Sequence, residues 1–404
     1  MHKTVTRLSV FLLISSLSCG QAYAESFKYS TIPLDKYLEI VHQNNALIGS
    51  GKLDVQTAAS NKESQALYRF APSVSYTRGS WYPQTPYAPY VTPQSSTYAL
   101  NFNIEGWGKR SARADLAESQ TAASATQLQA TATILEAAAL NAYIDTLRLS
   151  LMVQSYSSAL NRLTPMKVNS KLADSVRFLK YYQEATDKDL MFSSLGLLNY
   201  SGAAIQDLPY PKGNLNFPMQ NFNIETIVEQ GQKSRMDVMG LQAAIDVADK
   251  NITLTNQNRN VDLSPYISQT RTPQYNDGGA TYTAQNAVSA GVTIPIPVNN
   301  FLQTADIVQA ANQKLQYEMQ LRDLKVQVRV QVLQAFLQYS AAKDALVNAQ
   351  TVYDAVVKST NKDPVQAVMD TRDKEGALLD AKTNHLKALV YLWRQSGNYS
   401  VPTL

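Results

Sequence analysis

The chain has 404 residues, and 36 Lys and Arg against 32 Asp and Glu leave a net charge of +4, too small to mark a polyanion as partner. Its one cysteine, Cys19, lies close to the start, so the remainder has neither a disulfide framework nor a thiolate metal site. His42 and His385 stand apart and read as helix-surface residues, no Gly-x-Ser-x-Gly occurs, and no His/Asp/Glu group has metal-ligand spacing; no catalytic, cofactor or metal site is expected.

Residues 1–24 have the form of a secretory signal. Lys3 and Arg7 precede the apolar run Leu8 to Leu17, and Ala22-Tyr23-Ala24 supplies a small-residue cleavage site. Ser16-Leu17-Ser18-Cys19 is a poor lipoprotein box. Beyond the signal no apolar run of about eighteen residues appears, which excludes a spanning helix. An exported chain of this kind is either soluble or enters a membrane through strands.

Leu34-Asp35 opens a helix expected to reach Phe70 with a bend around Gly49 and Gly51, and Pro72 ends it. Ser73 to Thr77 then alternates, Trp81 to Ser95 carries four prolines and reads as a loop, and Tyr98, Leu100, Phe102 and Ile104 alternate with polar residues as a clear strand. An Ala-rich helix follows over 109–164, and another over 173–200. The stretch 204–223, with Pro209, Pro211 and Pro218, reads as an irregular connector.

From Ile224 the order starts again: a helix to about Gln257, a weaker strand from Pro265, a loop from Pro273 to Asn286, and a strand with Val288, Val292, Ile294 and Ile296 on one face. Val298 to Asp363 then runs sixty-six residues without Gly or Pro, which as helix would extend roughly 100 Å. Leu321, Val328, Ala335, Ala342, Ala349 and Val356 repeat every seven residues, with Leu324, Ala345 and Val352 at the companion spacing, while Met319, Val326, Val330, Leu333 and Leu337 occupy another face. Such a helix has two partners. A final helix spans 364–395.

The chain thus reads as an internal duplication, a first repeat over 25–203 and a second over 224–404. Pro72 matches Pro265 at an offset of 193, Ala114-Asp115-Leu116 matches Ala305-Asp306-Ile307 at 191, and Gly202 matches Gly397 at 195.

The strand faces Val74, Tyr76, Tyr98, Leu100, Phe102, Ile104, Val288, Val292, Ile294 and Ile296 are candidates to meet lipid, with Ser, Thr, Asn and Gly on the reverse as a water-facing wall requires. Taken alone the pattern also suits a soluble sheet packed on a core. Four strands, however, fall short of the eight or so that close a membrane barrel, and open edges are not tolerated in lipid, so several copies must share a wall. Tyr76, Trp81, Tyr82, Tyr98 and Trp107 suit an interfacial aromatic belt.

With that arrangement in view the sequence resembles the TolC-type outer-membrane efflux protein family over nearly its whole length beyond the signal. The likeness rests on the repeated order, Ile32-Pro-Leu-Asp-Lys-Tyr-Leu38, Gly291-Val-Thr-Ile-Pro-Ile-Pro297 running into Ala305-Asp-Ile-Val-Gln-Ala-Ala311, Ala367-Val-Met-Asp370, and Leu389 to Gly397. The resemblance implies a mixed α/β membrane protein: a homotrimer whose protomers each give four strands to a shared 12-stranded β-barrel and whose coiled-coil helices form an α-barrel tunnel across the periplasm. It further implies a periplasmic adaptor, an inner-membrane pump and outer-membrane lipid as partners, passive passage of solutes, and no cofactor. By position, Asp174 and Asp370 are pore-constriction candidates and Lys362 and Asp363 tip candidates; Asn169-Ser170 and Asn361-Lys362 stand where the family often has turn glycines. The alternative is a soluble periplasmic coiled-coil scaffold or adaptor, which leaves the clean strand alternation without a reason.

Overall fold

The structure is a computed structural model and describes residues 28–67, 72–80, 94–166, 170–202, 207–277, 280–295, 304–359 and 363–402. The expected signal, the Trp81–Tyr82 segment, Ile296 and Lys362 lie outside the described residues. One order of elements is traversed twice. The first pass is β1 (Tyr29–Pro33), α1 (Leu34–Asn44), α2 (Ala46–Ala66), β2 (Ser73–Ser80), β3 (Gln94–Asn101), α3 (Lys109–Leu163) and α4 (Ser170–Ser201). The second is β4 (Leu208–Lys212), α5 (Ile224–Ser234), α6 (Met236–Gln257), β5 (Ser264–Thr272), a short ribbon of β6 (Tyr275–Asp277) and β7 (Ala280–Tyr282), β8 (Gln285–Thr293), α7 (Ala305–Lys358) and α8 (Pro364–Gln395).

The helices α3 and α7 have 55 and 54 residues, about 80 Å each at 1.5 Å per residue. No helix of the described residues is long and apolar enough to cross a membrane. The local alternation of Val326 to Val332 is absorbed into α7, because tertiary burial on a helical stripe outweighs β propensity: Val328, Val332, Ala335 and Tyr339 are all buried. The seven-residue seam holds at Val328 and Ala335, but further on Leu346 is the buried residue, whereas Ala345 and Val352 are exposed. The buried companion row is Val332, Tyr339 and Leu346, seven residues apart and four beyond the seam positions instead of three, since i+3 and i+4 both lie on the seam's side of a helix. The long helix also stops short of Asp363. Ser359 is already extended, and Asp363, held at ψ 127, caps α8 by accepting from the Val365 N–H, since a residue before proline is barred from the helical region.

Three expectations give way to tertiary contacts. The first helix breaks at Asn45, not at Gly49 or Gly51, and its counterpart breaks at Arg235; both residues are extended. Asn45 caps α2 through the Leu47 N–H and donates its amide to the Tyr200 carbonyl, while Arg235 donates to Gln395 Oε1 and Gln331 Oε1. Each break is seated against a left-handed glycine at the end of a distant helix. A Cβ on Gly202 (φ 61) would come within 2.8 Å of the Asn44 carbonyl oxygen, and one on Gly397 (φ 70) within 2.7 Å of the Arg235 nitrogen. The connector 204–223 is not irregular throughout, because β4 pairs in parallel with β1, and Pro209 and Pro211 are tolerated there because a two-stranded ribbon leaves each strand an open edge.

The two passes meet the same way at mid-length. The hydroxyl of the fully buried Tyr143 accepts from the Lys212 N–H at 3.1 Å and lies 2.8 Å from the Ile32 carbonyl oxygen, tying α3 to both ribbon strands. In the second pass Tyr339 accepts from the Gln220 N–H and donates to its carbonyl at 2.8 Å. The apolar cores around these tyrosines, Tyr37, Leu140 and Leu147 on one side and Val328, Val332 and Trp393 on the other, form the girdle of the molecule.

His385 is a correction of another kind. It is 1% exposed, its ring lies 5.3 Å from that of Tyr339, and among the described residues its Nε2 has no hydrogen-bond partner. Burial, and then the nearby Lys343 ammonium, lower its pKa.

Gly202→Ala and Gly397→Ala will each cost about 1–3 kcal/mol, the scale of forcing a side chain into the left-handed region, read as a lower urea midpoint. Because His385 resists protonation in the fold, its contribution to stability is complete above the unfolded pKa of about 6.5 and declines as pH falls below that value. The unfolding temperature of the wild type should therefore drop between pH 7.5 and 5 by more than that of His385→Phe.

Candidate membrane-facing sheet

The strands β2, β3, β5 and β8 form a four-stranded antiparallel sheet in that order. Residues paired across an antiparallel ladder share a face, so the register sorts the side chains. One row reads Val74, Leu100, Ile267 and Ala290, the next Tyr76, Tyr98, Gln269 and Val288, and Pro265 pairs with Val292. The intervening rows read Ser75, Ala99, Ser268 and Ser289, then Thr77, Thr97, Thr270 and Ala287. One face is therefore apolar and aromatic and the other carries hydroxyls, with Thr97 Oγ1 and Thr270 Oγ1 3.0 Å apart.

The apolar face has no cover. Val74 is 79% exposed and Val288 73%, Tyr76, Tyr98, Val292 and Ile294 are exposed as well, and the Tyr76 and Tyr98 rings pack on each other at 4.9 Å. Leu100, Phe102 and Ile104 are half-buried. The strand expected through Ile104 ends at Asn101, yet Phe102 and Ile104 still donate to the Pro265 and Leu263 carbonyls, so the ladder continues irregularly. Ile267, 53% exposed, belongs to this face and was not singled out by the sequence, because Gln269 and Arg271 interrupt the apolar alternation of β5. The outer strands of the sheet, β2 and β8, pair with no further strand among the described residues.

Where the sheet joins the helices, Asp262 accepts from the Gly106 N–H at 2.7 Å and from Lys109 Nζ at 2.8 Å. Arg113 pairs with Glu105, and both side chains are more than nine-tenths buried. These charges, with Asn103 and Gln120, line a cavity of about 580 Å³. Trp107 stands beside it, 93% exposed.

At the opposite end of the helices the described tip candidates, Asp174, Asp363 and Asp370, lie at the starts of α4 and α8. Asp174 is exposed on the early turns of α4, Asp370 accepts from Gln366 of its own helix at 2.8 Å, and Asp363 is spent on capping. Leu172, Leu179 and Val365 share one apolar cluster, which brings the starts of α4 and α8 together. Among the described residues no group of three or more His, Cys, Asp and Glu is placed to hold a metal ion.

Neither family models nor curated proteins give a match to the chain. Solved structures do. A membrane protein from Pseudomonas aeruginosa superposes with a TM-score of 0.61 at 18% identity over 90% of this chain and 92% of that one. The outer membrane protein VceC from Vibrio cholerae gives 0.59 at 13% identity over 91% and 96%. The CmeC outer membrane channel of Campylobacter jejuni gives 0.60 at 14% identity over 91% and 86%. At such identities the likeness establishes a shared fold.

Breaking the Glu105–Arg113 pair will be costly. Arg113→Ala strands a buried carboxylate and should remove about 3–5 kcal/mol, whereas Glu105→Leu with Arg113→Met restores most of it, as thermal unfolding of both variants will show.

Proposed function

We propose that this chain is a member of the TolC-type outer-membrane efflux family and forms, as a homotrimer, a channel across the outer membrane of a Gram-negative cell. The observation that carries the reading is a four-stranded sheet whose outer edges pair with no further strand among the described residues, one face apolar and exposed and the other hydroxylated, fused to helices about 80 Å long. In lipid such edges must be paired, and the available partners are the same strands of other copies. Three copies would close a twelve-stranded wall, apolar outward and hydroxylated inward.

The helices support the same assembly. On α7 the exposed residues Val308, Met319 and Val330 are spaced by eleven, as are Leu315, Val326 and Leu337, a straight apolar stripe along a helix that already packs on α6 and α8. Apolar side chains are also bare at the far side of the protomer, Leu47 and Leu53 on α2 and Phe178 and Tyr181 on α4. Stripe against edge, repeated around an axis, makes a twelve-helix tube reaching into the periplasm. The two passes, 25–203 and 224–404 joined by 204–223, then act as repeats of one ancestral unit.

Solutes would move passively through this tube, delivered by an inner-membrane pump through a periplasmic adaptor in an efflux or type I secretion system. Asp174 and Asp370, thrice repeated, would give the tip an acidic ring favouring cations. A soluble coiled-coil scaffold is the other reading of the helices, but it leaves a bare face of Val74, Tyr76, Tyr98 and Val288 in water.

The test is electrical. Purified protein should run as a heat-sensitive oligomer and open ohmic conductance in a planar bilayer; a detergent-free soluble monomer without conductance rules the channel out. Val288→Arg places a charge on the face assigned to lipid at a cost of about 2–4 kcal/mol at the midplane, and should cut assembly in the membrane fraction several-fold.

A further inference from the structure

The apolar face ends in a row of different chemistry. Arg78 pairs with Ser96, and Ser96 pairs with Arg271, so the two arginines flank one small residue on the same face. Two strand spacings, about 9–10 Å, separate their backbones. The Ser96 hydroxyl lies between them, 3.4 Å from the Tyr76 hydroxyl in the row beneath. Both arginines and Asn286, next in the row, are exposed. Arg78 bonds the Gln94 amide oxygen, and among the described residues neither guanidinium is paired with a carboxylate.

The height of this row matters. From the Ile104–Leu263 bridge at the helix end of the sheet to Ser96 is eight residues, which at about 3.4 Å each and a tilt near 40° rises roughly 21 Å. An apolar band of a membrane barrel is about 25 Å tall, so the row falls at its margin remote from the helices, where an outward arginine is tolerated.

We propose that Arg78, Ser96 and Arg271 form a cradle for the phosphate of a lipid headgroup in the outer leaflet. The site rests on the channel reading, which sets this face against lipid. Two guanidinium forks converge on one tetrahedral anion, the arrangement their planar donors favour, and the serine and tyrosine hydroxyls complete the floor. Lipid chains of the same molecule would lie along Tyr76, Tyr98 and Val288 below.

The experiment uses the assembled full chain in maltoside micelles, with phosphatidylglycerol, a diacyl glycolipid of the same chains lacking phosphate, or inorganic phosphate added. Native mass spectrometry should retain about one phosphatidylglycerol per protomer, with an unfolding temperature raised by several degrees. R78Q/R271Q should weaken retention at least tenfold while keeping its oligomer and conductance, and R78K/R271K should keep part of the retention. Equal retention of the glycolipid, equal retention by R78Q/R271Q, or the full thermal shift from inorganic phosphate alone overturns the cradle. Failure of the channel reading would show separately, as a chain that needs no detergent and opens no conductance.

Discussion

In the proposed channel, an open sheet edge in a place without water is the constraint from which the rest of this architecture follows. Each unpaired strand offers backbone N–H and C=O groups that lipid cannot satisfy. The sheet has two such edges and is too narrow to curl until they meet. Its sidedness adds a second demand, because the row of Val74, Leu100 and Ile267 needs an apolar neighbour while the row of Thr77, Thr97 and Thr270 needs water. The proposed closure by copies of the same chain, with lipid outside and an aqueous bore within, would satisfy both demands at once.

The helices transmit that geometry over a long distance, and the girdle keeps them in register. Tyr143 and Tyr339 stand 196 residues apart and do the same work, each clamping a long helix to backbone that crosses it. The Gly202 and Gly397 turns repeat the correspondence, each pressed onto the break between two short helices. Between the halves, Leu386 and Val390 of α8 share the apolar core of Leu140, Ile144 and Leu147 on α3, and Lys387 donating to Asp145 at 2.6 Å and Ser155 to Glu375 at 2.6 Å add polar ties along the same seam.

Charge is placed with equal economy along the sheet. The junction with the helices concentrates Glu105, Lys109, Arg113 and Asp262, all paired among themselves. The far margin carries Arg78 and Arg271, which among the described residues are paired with no carboxylate. Between the two levels the outward face bears only apolar, aromatic and amide side chains. A membrane-sized apolar band bounded by charge above and below is what that distribution describes.

Periodicity in the sequence already carried the main element types: the stretch free of Gly and Pro with apolar residues at helical spacing holds the long helix Ala305–Lys358, and the alternation beginning at Tyr98 lies on a strand that ends at Asn101. Pro364, too, announced where the last helix begins, since its ring bars the preceding residue from helix. Contacts between residues far apart in the chain decided the remainder. Asn45 is a favourable cap residue whose bond to the Leu47 N–H is local, but the groups that seat it and Arg235 at the breaks lie some 155 to 160 positions away. His385 looked like a surface residue because its neighbours Asn384 and Lys387 are polar, and only the packing of α8 on Tyr339 turned it inward. The pairing of β1 with β4 and the arginine row across β2, β3 and β5 depend on register between strands, a quantity that no single strand contains.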